Sequence, residues 1–204
     1  MEKRIGSGDI RDMDRFYRMN LINTLSGYKP AMLVGTTGHR GTANLGLFSS
    51  IIHISAHPPL LGFHIRQLTV PRHTYHNIRA KGYFTLNHIH SGMLEAAHQA
   101  SANYAEAVSE FEACGLSPQY SEDHPAPYVL ESRIKIGLKY EEEHRIHANG
   151  SLLVVGKVVE ILASEEALDD SGHWKLQEQD SLAAAGLDTY YKGVLHKRLP
   201  YARP

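Results

Sequence analysis

Between Ala31 and Arg66 the chain sets four short apolar segments, AMLVGTT, TANLGLFSS, IIHIS and LLGFHIR, one after another with no helical stretch between them. Turn signals such as His39–Gly41 and His57–Pro59 punctuate them. Strands joined by turns pair antiparallel, because a parallel pair needs a crossover of about a dozen residues or more. GHRG, between Thr37 and Thr42, reads as a hairpin tip. This region argues against a doubly wound parallel sheet, which requires strand–helix alternation.

The flanking sequence predicts helices and two longer strands. Residues 9–26 place Phe16, Met19, Leu21, Ile22 and Leu25 at helical spacing, with Gly27 as a stop and Pro30 preventing continuation. Residues 70–81 predict one short helix with Pro71 near its first turn and Gly82 as its stop; YFTLNHI follows as a strand. Ser91 to Gly115 predicts one or two helices. YVLESRIKIGLKYEEE alternates as a strand, and SLLVVGKVVEIL, more continuously apolar, predicts a more buried one, with a turn at His147–Gly150 between them. The expected fold is mainly β with α insertions, a closed or nearly closed antiparallel barrel, with residues 1–204 forming one domain.

Composition excludes several function classes. Lys plus Arg is 21 and Asp plus Glu is 22, so the net charge of -1 gives no broad attraction to nucleic acid or an anionic membrane. Cys114 is the one cysteine, which leaves no intrachain disulfide and no multi-cysteine metal site. The polar start MEKRIGSGDIRDMDRF and the lack of a long apolar run predict a soluble, cytoplasmic protein.

The 14 histidines raise a metal hypothesis that spacing must decide. Gly82, His88, His90 and Glu95 stand as G-x5-H-x-H-x4-E, which resembles the first motif of the cupin metal enzymes. The glycine expected after the glutamate is missing, and no later P-x-G-x2-H supplies a last ligand. Partly exposed strand histidines, with Glu95 in the first turn of a helix, are the favoured reading, and no metal is expected. The pairs His53/His57 and His144/His147 read as solvated or hydrogen-bonded side chains.

Phosphate binding is the stronger theme. There is no Walker motif, and Gly6–Ser7–Gly8 precedes no strand–helix unit. Ser49 and Ser50 end one strand segment, and Arg66, Thr69, Arg72 and Thr74 bracket the start of the 70–81 helix. Hydroxyls, guanidinium groups and free N–H groups at a helix start form an anion site. The alternative is that the hydroxyls cap turns while the arginines face water.

As an ordered set, these residues resemble the flavin reductase-like, FMN-binding split-barrel family. The set is Thr36–Thr37, Gly41, Ser49–Ser50, Pro58–Pro59, Arg66, the T-x-x-N-I run Thr74–Ile78, Phe84–Asn87, and Gly156 in the closing strand. The resemblance implies a Greek-key-like split barrel, usually a homodimer, with FMN (FAD possible) near the subunit interface. It places the phosphate against Ser49, Ser50, Arg66, Thr69, Arg72 and Thr74, and the isoalloxazine along the strand near Asn44, Leu47, Phe48 and Ile52. It further implies hydride transfer from NADH or NADPH, with reduced flavin released or handed to a flavin-dependent monooxygenase. Many members carry Gly-Asp-His just before the last long strand; the aligned position here is Ser151, with His144, His147 or Asn149 as substitutes. That departure leaves open an FMN carrier without nicotinamide activity.

Overall fold

The computed structural model describes residues 1–203. Two N-terminal helices, α1 (Ser7–Asp12) and α2 (Arg15–Thr24), precede strands β1 (Lys29–Pro30), β2 (Met32–Thr37), β3 (Ala43–Phe48), β4 (Ile51–Ser55) and β5 (Leu60–Ile65). Helix α3 (His73–Lys81) and strand β6 (Tyr83–His88) come next, then α4 (Leu94–Gln99), α5 (Glu110–Cys114) and the short β7 (Pro118–Gln119) and β8 (Tyr128–Val129). The chain closes with β9 (Ile134–Ile146), β10 (Ser151–Ala163), β11 (Leu182–Ala185) and β12 (Thr189–Lys192).

Seven strands form one antiparallel sheet in the order β3-β2-β6-β9-β10-β5-β4. Its two edge strands, β3 and β4, are neighbours in sequence, separated only by Ser49 and Ser50. Laid flat, seven strands at a spacing of about 4.8 Å would hold those edges about 29 Å apart. The chain from Phe48 to Ile51 reaches at most about 11 Å. The sheet therefore curls until its edges meet, without pairing with each other: a barrel split between β3 and β4.

Burial follows from that curl. Met32, Val34, Phe63, Phe84, Leu86, Leu138 and Val154 fill the interior, while Leu33, Leu45, Ile89, Phe111, Val129 and Leu182 form a second core between the outer face and the helices. Both faces of β2 are covered, so it reads as a continuous apolar run. Gly156 lies where β10 crosses Phe84: a Cβ there would stand 2.5 Å from Phe84 Cζ, and the ladder bulges between Val155 and Gly156. Gly82, with φ of 75°, ends α3 in the left-handed region and turns the chain into β6.

Four expected elements differ. The helix expected over 9–26 breaks at Met13, which is extended, and Asp14 restarts it by accepting from the N–H groups of Phe16 (2.9 Å) and Tyr17 (3.0 Å). The helix expected at 70–81 begins at His73, leaving Pro71 outside it. As expected, Ser91–Gly115 holds two helices, α4 and α5, with a single turn (Ser91–Met93) before them. The strand expected from Tyr128 splits: β8 pairs with β7, a turn closes with Ser132 N–H on Val129 O, and β9 starts at Ile134. β10 is buried only up to Gly156; beyond it, Val159 and Ile161 are exposed.

Candidate functional site

On edge strand β3, Ala43 O and Leu45 N–H bond Ser109 and Glu110. The ladder bonds to β2 therefore fall to the alternate positions Asn44, Gly46 and Phe48, and Ala43, Leu45 and Leu47 turn their backbone outward. α5 covers the first of these outward groups. Ser109 Oγ donates to Ala43 O (2.6 Å), and the Glu110 carboxylate accepts from Leu45 N–H (3.0 Å). By the same alternation the Leu47 amide also faces outward, beyond the reach of α5. The open part of the edge is thus the stretch where a flat ring could take a backbone hydrogen bond.

The side chain of Asn44 is committed within the protein. Its Nδ2 donates to both Glu110 oxygens (3.0 and 2.8 Å), and its Oδ1 accepts from Thr36 (2.9 Å) and, more loosely, Thr74 (3.4 Å). Asn77 Nδ2 in turn donates to Thr36 Oγ1 (3.0 Å). The T-x-x-N run of α3 is thereby locked onto β2 and β3, with the helix start beside Gly46, where a Cβ would lie 3.4 Å from Thr74 Oγ1. Arg72 flanks this start, and its Nε is buried with no hydrogen-bond partner in the protein. A guanidinium stays ionised at any physiological pH, so this nitrogen calls for an acceptor from outside the chain.

Ser50 is used differently from its expected phosphate role. Its hydroxyl donates to His64 O (3.1 Å) and accepts from His64 N–H (3.2 Å), tying the β3–β4 link to β5. Burial, then Arg66 nearby, lower the His64 imidazole below its usual range. Phe48 packs edge-on against Phe63 at 5.0 Å and belongs partly to the barrel core, whereas Ile52 is exposed on β4. Ser49 is half-buried, and Arg66 and Thr69 are exposed.

A pocket of about 720 Å³ opens between the 67–69 loop, α3 and the β9–β10 turn. Thr69, His147 and Asn149 line it, together with Gln67, Tyr75, Glu143 and Arg145, which the sequence did not single out. Tyr75 donates to Glu143 Oε1 (3.0 Å), and burial and then this bond push its phenol above its ordinary value. Gln67 Nε2 bonds Asn149 O across the pocket floor. Asn149 Oδ1 accepts from the N–H (3.0 Å) and hydroxyl (2.6 Å) of Ser151, which is buried. His144 lies one position out of phase with Glu143 and Arg145, on the opposite face of β9, and bonds Glu142 Oε1 (3.2 Å).

The cupin-like residues do not converge. His88 Nδ1 meets Ser181 Oγ (2.6 Å), His90 Nε2 meets Glu131 O (3.2 Å), and Glu95 is exposed in the first turn of α4. Among the described residues no three His, Cys, Asp or Glu side chains are grouped as for a metal ion.

Residues 26–183 match the flavin reductase like domain. The chain belongs to the flavin reductase-like family. A split-barrel structure from Shewanella frigidimarina NCIMB 400, assigned as a flavin reductase, is 42% identical over 98% of this chain and 100% of its own, with a TM-score of 0.95. The flavoredoxin of Desulfovibrio vulgaris (Miyazaki F) is 26% identical, with a TM-score of 0.73 over 88% of this chain and 93% of its own. Nitrilotriacetate monooxygenase component B from Bacillus cereus shares the fold, with a TM-score of 0.84 at 20% identity over 98% of this chain and 99% of its own.

In this flavin reductase-like chain the residues fit a flavin. The orphaned Arg72 Nε and the start of α3 suit a phosphate, and the outward edge of β3 suits the ring. No helix among the described residues is long and apolar enough to cross a membrane.

Proposed function

We propose that the protein binds FMN, with FAD as the alternative, and passes hydride from NADH or NADPH to it. The observation that carries this is the buried, unpartnered Arg72 Nε at the start of α3, next to the open backbone edge of β3. Bound flavin would supply the hydride-accepting ring nitrogen. Arg72, Thr74 and the first amides of α3 hold the phosphate, with Ser49, Arg66 and Thr69 around it; Ser50 shapes the turn instead. The Leu47 N–H donates to the ring, and Phe48 and Ile52 give it an apolar bed. Tyr75, Glu143, Arg145 and His147 line the pocket through which a nicotinamide reaches the ring and is screened from water. Since no side-chain nucleophile enters this chemistry, His147 acts by contact with the substrate.

We further propose that the whole chain, 1–204, works as one unit in the cytoplasm, as a homodimer that hands reduced flavin to a monooxygenase. Helices α1 and α2 bury none of their residues, and Phe16 and Ile22 of α2, with Leu25 just after it, are exposed apolar surface suited to a second copy. Light scattering of the purified protein at twice the chain mass is the expected result.

A carrier without nicotinamide activity is the second reading. Ser151 favours it, because its hydroxyl is locked on Asn149 where many family members place a histidine. An anaerobic visible spectrum separates the two. Bands near 370 and 450 nm that bleach with NADH or NADPH support the reductase; a bound flavin that neither coenzyme bleaches supports the carrier. A protein that takes up no flavin overturns both.

A further inference from the structure

A second cavity, of about 410 Å³, lies at the opposite end of the β9–β10 ribbon from the flavin pocket. Ser132, Arg133, Lys135, Leu162, Ser164 and Gln179 line it. Lys135 is the unusual member. It sits in the middle of the sheet, in register with Asn87 of β6 on one side and Leu162 of β10 on the other, and only 8% of its surface is exposed. Its ammonium donates to Leu130 O (2.9 Å) and to Gln119 Oε1, both neutral acceptors. Among the described residues the third N–H has no acceptor and no carboxylate pairs with it.

A buried ammonium with only neutral partners is costly, so a native chain either pairs it or uses it. Glu131 acts on Lys135 from a distance, but its own carboxylate is occupied by the Ser117 N–H at 3.0 and 3.2 Å. Burial accordingly lowers the amine below its ordinary range. Arg133, exposed at the rim, makes no ion pair, and Ser164 and Gln179 add a hydroxyl and an amide. Glu165 and Glu166 follow Ser164 but are exposed and do not line the cavity. The lining therefore holds two cations, Arg133 and Lys135, and no carboxylate.

We propose that this cavity is a second oxyanion site, in which Lys135 and Arg133 bind the phosphate group of a small molecule. Lys135 and Arg133 line one wall with the hydroxyls of Ser132 and Ser164 and the amide of Gln179, and donors of these kinds suit the several acceptor oxygens of a phosphate. At about 410 Å³ the site is an open cleft rather than an enclosed cavity. That is more room than a lone phosphate fills, and the apolar Leu162 and Ala163 wall suits the organic part of an ester. The site is independent of the flavin reading, since it shares no residue with the flavin pocket.

The test is calorimetric titration of the full-length protein, loaded with one equivalent of FMN so that the α3 cradle is filled, with inorganic phosphate and with glycerol 3-phosphate, at ionic strength held constant with chloride. Binding of the ester more tightly than phosphate is expected, while phosphate bound as tightly as the ester assigns the site to free phosphate. Arg133→Ala should leave the affinity for FMN at its native value while weakening the response about tenfold or more. Lys135→Met should abolish it, yet be at least as resistant to urea as the native chain in phosphate-free buffer, because an unpaired buried charge is replaced by an apolar side chain. The proposal is overturned by no binding in the native chain, or by binding that survives Arg133→Ala and Lys135→Met undiminished.

Discussion

The Nε of Arg72 is a charged donor removed from water with nothing in the protein to receive it, so its replacement breaks no internal hydrogen bond. Arg72→Ala should therefore leave the unfolding midpoint of the flavin-free protein nearly unchanged while weakening FMN binding. A charge-assisted hydrogen bond is worth about 1.5–3 kcal/mol, roughly a ten- to hundredfold rise in the dissociation constant. Thr74→Ala should have the smaller effect, near fivefold, since a neutral hydroxyl contributes about 0.5–1.5 kcal/mol. Quenching of FMN fluorescence on titration measures both; unchanged affinity in the two variants would remove α3 from the phosphate site. Arg72 and Thr74 could be found in the sequence because their chemistry is local, a cation and a hydroxyl at one helix start. Tyr75 and Glu143 could not, because they meet across 68 residues. Ser50 and Asn44 were legible as polar groups near the site, but what their side chains bond, His64 and Glu110, is set by the curl of the sheet.

Among the elements, α5 shows how little of a helix's role lies in its own sequence. It has five residues, too few to be stable alone, and it is fixed by one buried carboxylate. Glu110 is 5% exposed and accepts from Asn44 Nδ2 and the Leu45 N–H, closing off the first half of the β3 edge and leaving the Leu47 end open. Glu110→Ala would strand those donors in the core, which costs about 1–3 kcal/mol. Glu110→Gln, which retains an acceptor oxygen, should lose less. Urea unfolding of the two variants checks the order; equal midpoints for Ala and the native residue would mean that the network carries no stability. Short apolar segments between turn signals made β2 to β6 legible, whereas helix ends were misplaced where a side chain, such as Asp14, restarts the backbone. The long strand at Tyr128 split because β7, a two-residue partner without a pattern of its own, claims its first residues.

At the scale of the molecule, the C-terminal segment returns across the barrel and is fastened at His88. Ser181 bonds the His88 ring, its neighbour Leu182 donates to Ile89 O (3.0 Å), and β11 then pairs with β1. The Asp180 carboxylate holds Ser91 and Lys192 alongside, and these bonds, Ser91 first, keep it at about 2, so it stays ionised at every pH above that. His88 does not: burial pushes its imidazole down to about 4. As pH falls, the unfolded chain takes up this proton near pH 6.5, its ordinary value, and the folded chain only near 4. Proton uptake then favours the unfolded state, so stability is complete above about pH 6.5 and declines between there and 4. The decline amounts to about 2 kcal/mol between pH 7 and pH 5 for this one group. His88→Gln, which can still bond Ser181 but cannot titrate, should flatten that part of the profile even if it lowers stability at pH 7. Urea midpoints of the native and variant chains at pH 7, 6 and 5 decide it, because the other histidines contribute equally to both. Parallel profiles would show that the His88 ring is hydrated in solution.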